Sequence, residues 1–243
     1  MRPGDFICIR DAFNVEKFSF IELLVLVEFL VSSILGLHLI ISRRNLPGRL
    51  LGFYTLIIGI TAAEPILIQV TPARSAMETI VAVCSFLLGP SLYLYTRYRL
   101  GKIRWRMYDF FHGLPALILL LLMLLTPAPE PAVGPETTPP DEVVLYGLFV
   151  LQLLGYTLPA LFAAARKRLH TVTGMRQEMQ HVFVMPLIIA SLMLFLYSFI
   201  TSLVPLGRPM LVATIQVLLG VVILVIALLN AEGLEQHQNR HSP

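Results

Sequence analysis

The chain has 243 residues, is 56% hydrophobic and carries a formal charge of +3, with a mean hydropathy of +0.78 and a pI near 9.0. Soluble domains run to roughly 45–50% apolar residues, and a single core of this length cannot hide so much apolar surface from water. The basic balance does not argue for nucleic acid either, because the cations gather in short links between long apolar runs, where a cytoplasmic membrane face holds them.

Residues 1–17 form a tail expected outside the cell. The first apolar run begins near Phe18 and has no small-residue cleavage site before Arg43-Arg44. Its length is that of a spanning helix rather than of the core of a cleavable signal. About 20 apolar residues cross a hydrocarbon layer of about 30 Å, because each helical residue rises about 1.5 Å. On that ruler seven spans are predicted, at 18–42, 50–71, 77–96, 108–126, 142–165, 182–204 and 209–230. Helices satisfy every backbone polar group without water, and the runs lack the alternation of barrel strands. The fold class is therefore all-α, a polytopic membrane protein with seven transmembrane helices.

Orientation follows from Lys and Arg. The links after spans 1, 3 and 5 and the C-terminal tail hold thirteen of them, including Arg43, Arg97, Lys102 and Arg166, against five on the other side. That asymmetry predicts the N-terminus outside and the C-terminus in the cytoplasm. The link from Thr126 to Asp141 is proline-rich and acidic, lacks Lys and Arg, and is expected to be an extended external loop. Residues 231–243 make a short polar tail expected to be cytoplasmic and disordered. Pro65, Pro90, Pro115, Pro159 and Pro186 fall inside spans, where each removes a backbone donor and can kink its helix. Cys8 and Cys84 offer no disulfide framework, and Cys84 reads as a small buried hydrophobe.

A carboxylate deep in a bilayer costs several kcal/mol, so intramembrane acids are candidates for function. Glu28 lies near the middle of span 1, and Glu64 lies in the outer half of span 2 just before Pro65. Because the two spans run in opposite directions, the acids reach similar depths. A ligand pocket opening outward is expected to combine Glu28, Glu64, Gln69, Gln152 and Gln216. The competing reading is that each group is neutral or hydrogen-bonded to a neighbour and only fixes packing.

Catalytic signatures are missing from the sequence. It holds no HExxH, no His and Asp pair at metal-ligand spacing, no GxSxG, no P-loop and no GxGxxG. No catalytic residue, metal ligand or cofactor is therefore assigned, and an enzyme is not expected. Transport stays open, although no internal repeat of the kind many transporters carry is evident.

The most distinctive stretch is Leu88-Gly89-Pro90-Ser91-Leu92-Tyr93-Leu94-Tyr95-Thr96-Arg97, then Leu100-Gly101-Lys102. A basic link and Asp109-Phe110-Phe111-His112-Gly113-Leu114-Pro115 lead into span 4. This resembles the signature of the seven-helix N-terminal half of membrane-embedded AraC-type transcription regulators, over span 3 and the start of span 4. Tyr93, Tyr95, Arg97 and Arg99 read as an interfacial anchor, with rings at the headgroup level and cations against anionic lipid.

The resemblance implies a sensor half. In that family a pair of helix-turn-helix motifs follows the last span, and nothing after Asn230 here matches one, so direct nucleic-acid binding is not carried over. Three readings stay open: a shortened chain, a stand-alone sensor acting through a cytoplasmic partner, or a related module with another role.

The expected function is an integral sensor of the bacterial cytoplasmic (inner) membrane, detecting an external or membrane-dissolved signal and passing it to a cytoplasmic transcription-regulatory partner. The alternative is a small-molecule or ion transporter using intramembrane carboxylates. Expected partners are the lipid bilayer, a small-molecule ligand and a cytoplasmic protein, with a homodimer left open.

Overall fold

The computed structural model describes residues 20–43, 45–64, 66–67, 71, 74–101, 106–125, 140–170, 184–203 and 209–239. Among these residues it is all-helical, with no strand. The helices are α1 (Phe20–Ser42), α2 (Leu46–Ala62), α3 (Arg74–Leu100), a 3-10 turn η1 (Met107–Gly113), α4 (Leu114–Leu125), α5 (Pro140–His170), α6 (Val184–Leu203) and α7 (Pro209–Asn239). Among the described residues four stretches are long and apolar enough to cross a membrane: Glu22–Ser42, Ser75–Leu100, Met107–Leu125 and Gly147–Arg166. The apolar helices Leu46–Ala62, Val184–Leu194 and Ile215–Asn230 are shorter.

The helix ends follow from local chemistry. Asn45 caps α2, its side chain accepting from the Gly48 amide at 2.8 Å, and Pro47 sits in the first turn, where no donor is needed. The helix predicted over 50–71 is interrupted at its outer end. α2 stops at Ala62, Ala63 turns, and the helical bond pattern resumes with Leu67 N donating to Ala63 O at 2.9 Å. Pro65 supplies the reason, since it has no N–H and its ring clashes with the carbonyl four residues back. Among the described residues, Pro90 and Pro159 lie in helix interiors. Pro115 and Pro186 occupy the first turns of α4 and α6, so the kinks expected there lose their cause. The tail expected to be disordered continues α7 as helix through Asn239. Ala231, Glu232, Leu234, Glu235 and Gln236 are good helix formers, and extending an existing helix avoids the nucleation cost.

α2 packs against α1 and α3, α3 against α5, α5 against α6, and α6 against α7, while α7 closes the round against α1 and α2. α4 stands outside this round, held by α3 and η1. The main core runs through Leu51, Tyr54, Ile58, Leu92, Leu187 and Ile223. A smaller cluster of Phe86, Ala116 and Leu119 seats α4. The outside is apolar, with Ile34, Ile41, Leu125, Leu151 and Phe162 all well exposed. An exterior of that kind on a folded chain marks lipid rather than water as its solvent.

The α1–α2 pair is held by absent side chains. A Cβ on Gly36 would lie 2.7 Å from the Gly52 carbonyl oxygen, and one on Gly52 would lie 2.6 Å from that of Gly36. Farther along, Gly59 faces Ser32, whose hydroxyl donates to the Glu28 carbonyl. Such small-residue seams let backbones approach closely where burial from water contributes little.

Candidate functional site

The polar groups cluster at the junction of α3, η1, α4 and α5. Asp109 is 1% exposed and forms the third residue of η1. It accepts from Arg97 Nη1 at 2.8 Å, from the Tyr98 hydroxyl, and from the Arg106 amide at 2.8 Å. The last bond is the carboxylate half of a capping box and fixes the start of the turn. Arg97 also donates through Nη2 to the Tyr108 hydroxyl at 2.8 Å and lies over the rings of Tyr98 and Tyr108. Charge-assisted bonds to a carboxylate with several donors are the strong kind.

One turn deeper, Tyr93 on α3, His112 on η1 and Tyr156 on α5 meet edge to face or tilted, with ring centroids 5.3–5.8 Å apart. His112 Nδ1 and the Tyr156 hydroxyl share a hydrogen bond of 3.2 Å. Gly89 makes room for this group, because a Cβ there would lie 3.3 Å from Tyr156 Cβ and Cδ2. Tyr95 points the other way, into the core, and its hydroxyl donates to Asn230 Oδ1 of α7 at 3.1 Å. Tyr54 of α2 and Ser191 of α6 form a second buried hydroxyl link between helices that follow different neighbours in the round.

The anchor residues read from sequence therefore have more specific positions. Tyr95, expected in the lipid interface, is fully buried, because two helical residues turn the chain by about 200° and separate it from the Tyr93 face. Tyr93 is half-buried among rings, Arg97 is tied to Asp109, and Arg99 is half-buried with its Nε unbonded. His112, Tyr156 and Asp109 complete the junction, while Asn230 of α7 receives the Tyr95 hydroxyl. The first and third of these were visible in the D…H run, but nothing in spacing pointed to Tyr156 or Asn230.

Four of the five residues expected to line the pocket are described, and their surroundings differ. Glu28 is buried at 3% exposure, and its carboxyl lies against Gly220 of α7. Glu64 is level with it along the antiparallel pair, as the Ser32–Gly59 contact requires, yet its side chain is exposed. Gln152 faces α3 instead, where its Nε2 donates to Phe86 O at 2.9 Å and its Oε1 is buried without a bond. Gln216 is half-buried on α7, one turn before Gly220. Gln69 lies outside the described residues, as do Cys8 and most of the proline-rich link.

Among the described residues no group of three or more His, Cys, Asp or Glu side chains could hold a metal ion. Compared with family models, curated proteins and solved structures, the chain matches none.

Proposed function

We propose that this chain is a multi-pass protein of the bacterial cytoplasmic membrane, with seven spans, the N-terminus outside and the C-terminus inside. In this reading it senses an external or membrane-dissolved small molecule and passes a change in helix packing through α7 to a cytoplasmic transcription-regulatory partner. The observation that carries the reading is the position of the residues behind the AraC-type resemblance. Arg97 and Asp109 tie α3 to η1, Tyr93 and His112 meet Tyr156 of α5, and Tyr95 bonds Asn230 of α7. The motif thus lies where a displacement of α3, α4 or α5 is felt by the last helix. A ligand drives such a relay only by binding two packings with different affinity.

The test compares transcripts of cells lacking the gene with cells complemented by wild type or by Tyr95→Phe. A defined set of genes is expected to change on deletion, to recover with wild type and to recover incompletely with Tyr95→Phe. Unchanged transcripts together with lost uptake of a solute would overturn sensing in favour of transport, the reading that the isolated Glu28 carboxyl favours. Orientation is checked with Ser242→Cys in a Cys8→Ser background, expected to react with an impermeant maleimide in inverted vesicles and not in intact cells.

A further inference from the structure

The Glu28 carboxyl is the most isolated polar group among the described residues. It is 97% removed from solvent, judged from a residual exposure of 3%, and neither oxygen has a hydrogen-bond partner. It is pressed onto Gly220, where even a methyl group would collide with it. Among the described residues no cation faces it from either helix packed against α1. α2 carries one charged residue, Arg49, near its opposite end; Glu64, just beyond α2 and level with Glu28, has an exposed side chain; and α7 carries no charged residue between Ile215 and Asn230. On α1 itself the only other ionisable residues from Glu22 to Ser42 are Glu22 and His38, well over a turn away on either side. A lone buried charge costs several kcal/mol, so a carboxyl packed this way is seated as the neutral acid.

From this geometry we infer that Glu28 and Gly220 form a proton-binding site between α1 and α7, loaded when the two helices are in contact and emptied when they part. A metal cation does not fit the donor set, which among the described residues is a single carboxyl in no group of three or more His, Cys, Asp or Glu side chains. The proton adds to one carboxylate oxygen, and its loss leaves a charge against the α7 backbone that only water or separation of the helices relieves. Asn230 lies ten residues, about 15 Å, farther along α7, so loading of this site bears on the same helix that Tyr95 holds. The inference stands whether the chain senses or transports.

Infrared difference spectroscopy of the full chain in liposomes, titrated from acid to alkaline pH, tests it. The expected result is a carbonyl band of a neutral carboxyl that disappears reversibly as pH rises, is absent in Glu28→Gln, and does not respond to sodium at fixed pH. In wild type, a hydrophobic carbodiimide adds to the neutral acid, and mass spectrometry is expected to locate the adduct on Glu28 with the same pH dependence, so assignment survives if the variant fails to fold. A band that persists at every pH makes the group permanent packing and overturns the inference. Complete absence of the band overturns it as well, and loss on adding sodium replaces the proton with a metal cation.

Discussion

Two buried carboxyls, Asp109 and Glu28, divide the molecule into contrasting regions. Asp109 sits in the α3–η1–α4–α5 junction with three donors, and Glu28 sits in the α1–α2–α7 wall with none. The first region is built from side chains that reach one another, including an ion pair, three rings and a capping carboxylate. The second is built from side chains that are missing, at Gly36, Gly52, Gly59 and Gly220. The same chemical group is thus fastened where polar partners converge, and left unpaired where backbones touch. A satisfied carboxylate specifies one arrangement; an unsatisfied one makes its arrangement depend on its charge.

The largest effect is expected in the glycine wall. Gly52→Leu places a side chain against the Gly36 carbonyl and the backbone of Ile40, which cannot swing aside as a flexible side chain can. Overpacking ordinarily costs about 1–3 kcal/mol, and here two helices must separate, so no monodisperse folded protein is expected after detergent extraction. Recovery of a stable variant would mean that the wall is looser than the junction, reversing the comparison.

The carboxyls themselves give the sharpest contrast. Asp109→Leu strands Arg97, Tyr98 and the Arg106 amide, and a loss of about 3 kcal/mol is expected, since removing one partner of a buried pair costs about 3–5 kcal/mol. The Arg97 side chain keeps some access to solvent at 19%, which places the effect at the low end. Glu28→Leu removes an unsatisfied acid, and its stability is expected to stay within about 1 kcal/mol of wild type or to rise. Thermal unfolding in one detergent measures both. Equal losses would show that Glu28 has polar support after all.

How much of this was legible in sequence differs between the regions. Five of the seven apolar runs, all but 50–71 and 209–230, lie within a few residues of the helix ends when η1 and α4 are taken together, because length and hydropathy set them. By contrast, α7 runs on through the polar residues to Asn239. The second run outlasts α2, since hydropathy does not register the break at Ala63, beyond which helical bonding resumes. The level of Glu28 and Glu64 was readable from antiparallel arithmetic, whereas their directions were not, because only the packing of α7 decides which face of α1 is covered. Arg97 and Asp109 were visible as a motif. Tyr156 and Asn230 were not, since contacts 44 and 135 residues apart leave no local trace.

Tyr95→Phe probes the link between the regions. It deletes the hydroxyl that reaches Asn230 and leaves a buried amide oxygen short of that donor, for an expected loss of about 1–2 kcal/mol. Asn230 retains its donation to Ile226 O at 2.9 Å, which limits the damage. The cost measured alone is a stability term; the informative quantity is its coupling to Gly220→Ala. If α7 transmits between the wall and the junction, the double variant departs from the sum of the single losses.

Gly89→Ala is expected to have the smallest effect, and it separates two reasons for the Gly-Pro pair in α3. A Cβ at residue 89 would meet Tyr156 Cβ and Cδ2 at 3.3 Å, tighter than ordinary contact but against a side chain rather than a backbone carbonyl. The ring can retreat by a few tenths of an ångström, and alanine is the better helix former by about 1 kcal/mol. The two terms are similar and opposed, so a net change within about 1 kcal/mol is expected. Retreat of Tyr156 lengthens its 3.2 Å bond to His112, however, and that bond belongs to the junction. The expected signature is therefore a shifted His112 ring resonance in the histidine-labelled spectrum with nearly unchanged unfolding temperature. A large loss of stability with an unmoved His112 would place the constraint in the α3–α5 backbone approach, making Gly89 a member of the glycine wall's chemistry inside the other region.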